Sequence, residues 1–216
     1  MASSFASTLV RTSDPGWELT VVRNDDVLSR DTALADLGEA DLVAACLAGR
    51  PGAFDLVVER HRRPVYQLCY RFVGNHEDAS DLSQDVFLRA YRGLGGFRGQ
   101  SSIATWLYRI GVNVCLNRLS AKSTLGKLTE PIADRQFEDT GAEPASERVL
   151  RDERAARVRA AIARLPRTQR ATLILRTYHE MSHQEIASVL GSTVGAVKAN
   201  FFHALGNLKK LLEEKP

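Results

Sequence analysis

Three aspartates stand at a spacing that brings them to one face of a helix. Asp78, Asp81 and Asp85 lie at positions i, i+3 and i+7, with Gln84 beside them, and the opposite face is apolar. Carboxylates in such a stripe can bind a metal ion or act as acid and base. No second acidic or histidine motif completes a site of that kind, so we predict no catalytic residue, metal or cofactor. A solvated face or a surface for docking a partner protein remains.

A glycine-rich segment, which we call the glycine loop, follows at residues 93–102. It reads Gly-Leu-Gly-Gly-Phe-Arg-Gly-Gln-Ser-Ser. Four glycines with an aromatic ring, an arginine and an amide suit a flexible loop that binds phosphates or a single nucleic-acid strand. The loop lacks the G-x-x-x-x-G-K-[ST] pattern of a nucleotide-binding P-loop. Trp106 in the next helix is interpreted as a core residue, with a base-stacking platform as the alternative.

Residues 182–198 hold the most specific local pattern. Ser182 and Glu185 form an S-x-x-E capping box that predicts a helix start. Gly191 stands where a helix end favours a left-handed residue, and Ser192 or Thr193 then caps a second, longer helix. A short helix, a tight turn with glycine and a longer helix together predict a helix-turn-helix.

The second helix of that motif has apolar positions at steps of three and four, which are Val194, Val197, Phe201, Leu205, Leu208 and Leu212. Its outward positions are Ala196, Lys198, Ala199, Asn200, Phe202 and His203. In a helix-turn-helix this part enters the major groove, where lysine can meet phosphate or guanine and asparagine can pair with adenine. Phe202 or Ala199 can meet a thymine methyl. The alternative is a packed helical hairpin that binds nothing, although nine arginines between residues 148 and 176 supply charge for phosphates.

The elements that must position these groups are helices. Strand patterns are scarce, whereas helical spacing recurs at about residues 39–49, 53–73, 76–91, 102–120, 145–164, 168–179, 182–190 and 193–213. Pro64 is expected to kink the second of these helices or split it in two. The predicted fold class is therefore all-α, with two small helical domains joined by a flexible linker and the helix-turn-helix in the second domain.

Composition and charge divide the chain into four parts. Residues 1–38 form a predicted flexible extension, 39–120 a first domain, 121–145 an acidic linker and 146–216 a second domain. Residues 41–122 carry a net charge of +4 and residues 148–216 a net charge of +7, whereas 123–147 carry −4. Two basic domains joined by an acidic linker are typical of a protein that contacts a polyanion at two places. A chance alternation of charged, solvated faces would give the same distribution of charge.

Several protein classes are excluded by the sequence. No apolar run approaches the ~20 residues that span a bilayer, and the N-terminus lacks the pattern of a secretory signal. The three cysteines, Cys46, Cys69 and Cys115, are scattered, which argues against a disulfide framework or a cysteine zinc site. We expect buried thiols in a cytoplasmic protein that is not inserted in a membrane.

Three blocks, in this order, resemble the sigma factors of bacterial RNA polymerase of the extracytoplasmic-function (ECF) type. The first, residues 78–91, is similar to the family's polymerase-binding helix, and the second, residues 97–113, to its promoter-melting segment. The third, Leu165-Pro-Arg-Thr-Gln-Arg-Ala with the helix-turn-helix, is similar to its reader of the −35 promoter element. The recognition helix departs from the family by having few arginines after Lys198 and by carrying Gly206.

The resemblance implies a role for each block. The polymerase-binding residues would be Asp78, Asp81, Gln84, Asp85 and Phe87, docked on the β′ clamp of core polymerase. The residues that bind the −10 element, and hold one of its bases flipped out and unpaired, would be Gly95, Phe97, Arg98, Gly99, Gln100, Ser101, Asn113, Asn117 and Arg118. The residues for the −35 element would be Ser192, Thr193, Ala196, Lys198, Ala199, Asn200, Phe202 and His203.

These roles predict a transcription initiation subunit and not an enzyme. Its partners would be core RNA polymerase through the β′ clamp and β flap, promoter DNA in duplex and single-stranded form, and an anti-sigma factor. One alternative is a dimeric helix-turn-helix regulator of duplex DNA, which the glycine loop and the two-module layout fit poorly. The other is a helical enzyme with a carboxylate site, for which no nucleophile–base pair is found.

Overall fold

The computed structural model describes residue 34 and the ranges 36–124 and 145–214. The predicted N-terminal extension up to residue 33 and most of the predicted linker lie outside the described residues. Within them the chain forms α-helices and one 3₁₀ turn, without strands, as the all-α prediction required. None of the described helices is both long and apolar enough to cross a bilayer.

The helices of the first half are α1 (Glu39–Leu47), α2 (Ala53–Val73), α3 (His76–Gly93) and α4 (Ile103–Thr124), with a 3₁₀ turn at Leu94–Gly96. Helix α2 runs through Pro64 as one element, so the expected split is wrong. Proline costs a helix one backbone donor and adds a clash with the preceding turn. The apolar stripe of α2, which buries Val65, Leu68 and Phe72 after the proline, holds the helix together across that position.

The helices of the second half are α5 (Ala145–Arg164), α6 (Arg167–Tyr178), α7 (His183–Leu190) and α8 (Val194–Glu213). Their bounds follow the predicted ones within a residue or two, because caps stand at both helix-turn-helix starts. At the linker the difference is larger, since α4 continues to Thr124 and takes up the first residues of the predicted linker.

By its internal contacts the chain divides into two compact units, one up to Arg60 and one from His61 onward. Buried apolar residues of the first unit are Leu34, Leu42, Ala45, Ala53 and Val57. In the second unit α3 packs on α4, and α8 packs on α5, α6 and α7. Helix α7 also packs on α4, which joins the helix-turn-helix to the helix that follows the glycine loop.

The cysteines behave as ordinary interior side chains. Cys69 and Cys115 are buried free thiols and Cys46 is a half-buried one. The hydrogen bond with Cys69, together with burial, raises the pKa of the Cys115 thiol. A protonated thiol is a weak nucleophile, so Cys115 serves packing.

Helix α4 approaches its neighbours most closely at Gly111. A Cβ atom at this position would lie 2.8 Å from Cδ2 of Leu68 on α2 and 3.7 Å from Cγ2 of Val86 on α3. Leu68 and Val86 are completely buried, so neither can move away without disturbing the core. Glycine is therefore required here for helix packing and not for backbone conformation.

We predict that Gly111→Ala lowers the free energy of unfolding by about 1–2 kcal/mol, because overpacking outweighs the gain in helix propensity. Gly206→Ala on α8 is the matched control, since no atom lies within 4 Å of its Cβ position. That change should raise stability by about 0.5–1 kcal/mol. Urea denaturation of the three proteins measures both effects, and equal shifts for the two variants would contradict the packing argument.

Candidate functional site

The acidic helix α3 begins at a well-made cap. The Asn75 side chain accepts a hydrogen bond from the backbone N–H of Asp78 at 2.8 Å, and its amide donates to Asp78 Oδ2 at 2.6 Å. Arg118 on α4 donates to Asp78 Oδ1 at 2.8 Å. With its side chain only 13% exposed, Asp78 ties α3 to α4. The structure thus separates Asp78 from the more exposed members of the predicted stripe.

The remaining polar residues of the stripe face solvent. Asp81 and Gln84 are exposed, and Asp85 shares its carboxylate with the Arg89 guanidinium one turn later at 2.9 and 3.0 Å. Such an exposed i,i+4 pair adds little to stability. Phe87 is half-buried. No group of three or more His, Cys, Asp or Glu side chains in the described ranges is arranged to hold a metal ion.

Two apolar side chains that the sequence analysis did not single out lie on the same helix. Leu88 is 55% exposed and Tyr91 is 65% exposed. Leu88 comes seven residues after Asp81 and three after Asp85, so it lies on their face. The signal in the sequence was a leucine at a polar position of an otherwise regular amphipathic pattern. We call Asp81, Gln84, Asp85 and Leu88 the docking face.

The glycine loop is anchored at both ends and open between them. Leu94 is buried in the 3₁₀ turn, and the Phe97 ring packs against the Trp106 ring with centroids 5.2 Å apart. Arg98, Gly99 and Gln100 are exposed, and Ser101 is half-buried. Gly99 has φ +68°, a left-handed conformation that glycine adopts without strain. Ser102 ends the loop by accepting from the Thr105 N–H at 3.1 Å as the cap of α4.

The −10 residues predicted on α4 do not share one face. Asn113 and Asn117 are exposed and lie one turn apart. Arg118 points instead toward α3, where it holds Asp78. The structure therefore brings the two asparagines together and places the arginine in an intramolecular ion pair.

The helix-turn-helix is held by three local features. The Ser182 hydroxyl accepts from the Glu185 N–H at 3.2 Å, and the Ser182 N–H donates to the Glu185 carboxylate at 2.8 Å, which completes the predicted capping box. Gly191 has φ +59° and ends α7 in the left-handed region, as predicted. Thr193 caps α8 by accepting from the Ala196 N–H at 3.2 Å, and exposed Ser192 lies in the turn between.

Helix α8 separates packing and exposed positions. Val197 and Ala204 are buried, whereas Lys198, Ala199, Phe202 and His203 are exposed; Ala196 and Asn200 are half-buried. Phe202 is 75% exposed, and its ring meets only the edge of His203 at 5.8 Å among the ring pairs described. Leu205, expected to face inward, is 47% exposed because Ala204 takes the inward position.

Comparison with known proteins identifies the family of this chain. A family model of sigma-70 region 2 matches residues 57–124, and one of sigma-70 region 4 matches residues 155–208. The RNA polymerase sigma-H factor of Pseudomonas aeruginosa is 35% identical over 181 residues, which cover 81% of this chain and 94% of that protein. The ECF sigma factor SigM of Mycobacterium tuberculosis is 36% identical over 174 residues, which cover 81% of this chain and 84% of that protein. The chain belongs to the ECF family of RNA polymerase sigma factors.

Solved structures agree with that assignment. CnrH, solved in complex with the cytosolic domain of CnrY, matches 81% of this sigma factor at 26% identity with a TM-score of 0.59. The RpoE sigma factor of Bartonella quintana, solved with the anti-sigma factor NepR, shows the same fold with a TM-score of 0.58. A sigma factor directs RNA polymerase to promoters, and these matches do not favour a dimeric regulator.

Regions 2 and 4 of this sigma factor meet through residues that the sequence analysis did not select. His179, after α6, lies against Tyr108 on α4, with Nδ1 3.2 Å from the hydroxyl and ring centroids 4.8 Å apart. Burial, and then the positive charge of Arg71, lower the pKa of His179 to about 4. No local motif marks His179 in the sequence, because its partners are distant along the chain.

This lowered pKa makes stability depend on pH. In the unfolded chain histidine takes up a proton near pH 6.5, whereas in the folded protein it stays neutral down to about pH 4. The contribution of neutral His179 is therefore complete above pH 6.5 and is lost as the pH falls from 6.5 toward 4.

We predict that lowering the pH from 7.5 to 5.0 costs the wild type about 2 kcal/mol more of unfolding free energy than it costs His179→Gln. The carboxylates titrate alike in both proteins, so the difference isolates the histidine. His203→Gln removes an exposed histidine and serves as the control. Parallel pH profiles for the wild type and His179→Gln, measured by urea denaturation, would contradict the assignment.

Proposed function

We propose that this sigma factor directs core polymerase to promoters with separate −35 and −10 elements, holding one element with region 2 and the other with region 4. The observation that carries the proposal is the presence of region 2 and region 4 on one chain, with an exposed helix-turn-helix face in region 4. Its action is differential binding: holding an unstacked strand lowers the free energy of the open promoter without covalent chemistry. We therefore assign it no enzymatic activity and place it in the cytoplasm, where DNA and polymerase meet.

The docking face is the proposed contact with the β′ clamp of the polymerase. An exposed leucine between acidic and amide side chains has the composition of a protein interface, with an apolar centre and a polar rim. The acidic members suit a basic partner surface and would speed association. Phe87 supports the face from its half-buried position, and Asp78 acts indirectly by holding α3 against α4.

The glycine loop and the start of α4 are the proposed holder of the −10 element. Arg98, Gln100 and Ser101 offer donors and acceptors, while Gly95 and Gly99 leave room for a base to approach the backbone. Asn113 and Asn117 extend the polar surface along α4. The Phe97 ring packs against the Trp106 ring, so its proposed role is to fix the loop and not to stack on a base. Arg118, paired with Asp78, is proposed to position α4 for this element.

Helix α8 is the proposed reader of the −35 element. Its first turns expose Lys198, Ala199, Phe202 and His203 beside half-buried Asn200, and the caps at Ser182 and Thr193 fix the angle of entry. In a helix-turn-helix the first helix crosses the DNA backbone, so exposed Ser192 and Thr193 in the turn are placed near phosphates. The Phe202 ring is available for a thymine methyl. Region 4 is also the proposed contact with the β flap.

An anti-sigma factor is the proposed regulator. The neighbour from Bartonella quintana was solved with an anti-sigma factor, and CnrH was solved with a cytosolic domain of CnrY. A protein that covers region 2 or region 4 would block the docking face or α8. Inhibition would then follow from competition for the same surfaces.

We predict that reversing Asp81 and Asp85 to Arg weakens binding to core polymerase at least tenfold and reduces run-off transcription in parallel. The fold should survive, because exposed charges contribute little to stability. Fluorescence anisotropy with purified core enzyme measures the affinity.

Glu153→Arg with Glu213→Arg is the matched control, because it makes the same change in net charge on exposed residues of other helices. The control should retain binding and transcription. Unchanged core affinity of the Asp81/Asp85 variant would remove the docking face from polymerase binding.

We predict that Asn200→Ala relaxes preference at one or two −35 positions, because a bidentate contact to a base contributes about 1–3 kcal/mol of discrimination. Lys198→Ala should instead weaken binding to all sequences about equally and lower the salt slope by about one. Binding to a set of single-base −35 variants at two salt concentrations distinguishes these effects.

Lys209→Ala is the control for the lysine, since Lys209 is exposed on the same helix beyond the recognition turns and pairs with Glu213. It should leave both the affinity and the salt slope close to wild type. An Asn200→Ala profile parallel to wild type across every −35 variant would exclude Asn200 from base recognition.

A further inference from the structure

Region 2 carries an aromatic cluster that belongs to none of the surfaces assigned so far. The rings of Tyr66 and Tyr70 on α2 and of His76 at the start of α3 are nearly parallel, with interplanar angles of 11° to 25° and centroids 5.1 to 6.4 Å apart. A hydrogen bond joins the Tyr66 hydroxyl to Nδ1 of His76. The tyrosines are half-buried and the histidine is exposed. We call these three side chains the ring platform.

The hydrogen bond shows how two of the rings are arranged. A phenol oxygen and an imidazole nitrogen both bond in the plane of their own ring. Because the planes of Tyr66 and His76 differ by only 11° and their centroids are 6.1 Å apart, the bonded rings lie side by side more than face to face. The pair therefore presents a broad flat face, as a base pair does.

The core of region 2 does not require these rings on α2. The helix turns Val65, Leu68 and Phe72 into the core, where each is at most 1% exposed. Tyr66 and Tyr70 are one turn apart on the opposite side of the helix, so their rings lie at the surface. Tyrosine combines a flat apolar face with a polar tip, which is the composition of a binding surface.

Positive charge lies one helical turn before the rings. Arg62 and Arg63 precede Tyr66 by four and three residues, so they share its side of α2, and both are exposed. Within the described ranges neither arginine enters an ion pair or a hydrogen bond. Residues 61–76 hold three arginines and no aspartate or glutamate. Guanidinium groups with no carboxylate partner are suited to bind phosphates.

The ring platform lies near the end of the proposed −10 surface. His76 adjoins Asn75, whose amide donates to Asp78, and the same carboxylate accepts from Arg118 near the end of α4. This ion pair brings the start of α3 and the last turns of α4 together. A nucleic-acid strand that follows α4 to this end therefore leaves it close to the platform.

We propose that the ring platform with Arg62 and Arg63 is a further binding site for unpaired DNA, where a base of the melted promoter strand stacks on the rings and the arginines bind its phosphates. This inference rests on the proposed function. Flat parallel rings beside cations favour a nucleotide strand over an acidic protein surface, which would need the cations alone. Stacking is tolerant of sequence because every base has a π face. The site therefore strengthens the hold on melted DNA without adding to promoter recognition.

Photocross-linking locates the bound strand. The full-length sigma factor, alone and with core polymerase, is irradiated with a single strand of about 12 nucleotides that carries 5-iodouracil in place of thymine. Mass spectrometry should recover the cross-link on Tyr66, Tyr70 or His76. The mononucleotide should compete only at roughly a hundredfold higher concentration, because it offers one base and one phosphate. Cross-links that all lie outside residues 61–76, or equal competition by the mononucleotide, would overturn the proposal.

Matched substitutions separate stacking from packing. Tyr66→Leu with Tyr70→Leu keeps apolar bulk but removes the flat faces, and should weaken binding of the oligonucleotide at least fivefold, with the helical circular dichroism unchanged. Tyr66→Phe with Tyr70→Phe keeps the faces and should bind within twofold of wild type. Tyr91→Leu, which changes a 65% exposed tyrosine at the other end of α3, is the control and should bind as wild type does. Equal affinity of the leucine and phenylalanine variants would contradict stacking.

The salt dependence of the same binding tests the arginines. Arg62→Gln with Arg63→Gln should lower the slope of log affinity against log salt by about 1.4, the value for two phosphates on a single strand. Lys209→Gln with Lys210→Gln makes the same change in net charge on exposed residues of α8 and should leave the slope near wild type. An unchanged slope for the arginine variant would remove Arg62 and Arg63 from the site.

Run-off transcription with core polymerase separates this inference from the proposed function. The wild type should be active, and the leucine variant of the ring platform should form fewer open complexes by permanganate footprinting while it binds core polymerase normally. Open complexes at wild-type level in that variant would overturn the platform as a site for melted DNA and leave the sigma function standing. An inactive wild type would instead overturn the sigma function.

Discussion

The packing of α4 on its neighbours is the constraint on which the functional surfaces depend. At Gly111 the absence of a side chain lets α4 approach α2 and α3 to within contact of Leu68 and Val86. Helix α3 carries the docking face, and α4 carries the proposed −10 surface. Their relative position is therefore set by a close helix crossing, reinforced by the ion pair between Asp78 and Arg118. Under the proposed function, a polymerase bound to α3 would thereby determine where α4 presents the melted strand.

In region 4, α8 both packs against its neighbours and exposes the proposed −35 surface. Helix α8 buries Val197 and Ala204 and turns Lys198, Ala199 and Phe202 outward. Phe202 is 75% exposed, and among the described ring pairs its ring meets only the edge of His203, which favours an intermolecular role. Small residues around it let the helix approach a groove closely. One face of α8 thus contributes to stability, and the other is the proposed recognition surface.

The same arginine-rich composition serves two purposes. Exposed arginines of region 4 can meet phosphates, whereas Arg167 and Arg170 are bound to backbone carbonyls of region 2. Burial lowers the pKa of Arg170 to about 10, which still leaves it charged at neutral pH. Arg170 also donates to the Ala163 carbonyl of its own region, so its bond to Phe72 is the one that links region 4 to region 2.

Local patterns were enough to predict the helices, the helix-turn-helix and its caps. Periodicity, the Ser182 capping box and Gly191 act over a few residues, so the sequence by itself determined α7, α8 and the turn between them. The exposed positions Lys198, Ala199 and Phe202 followed from the same periodicity, whereas Leu205 did not, because the choice between Ala204 and Leu205 depends on the partner helices. The run of α2 through Pro64 likewise depends on the core behind it. Only the tertiary structure placed Arg118 on Asp78, Arg109 on Ser188 and Arg170 on Phe72, because these partners are 40, 79 and 98 residues apart and no local spacing encodes them.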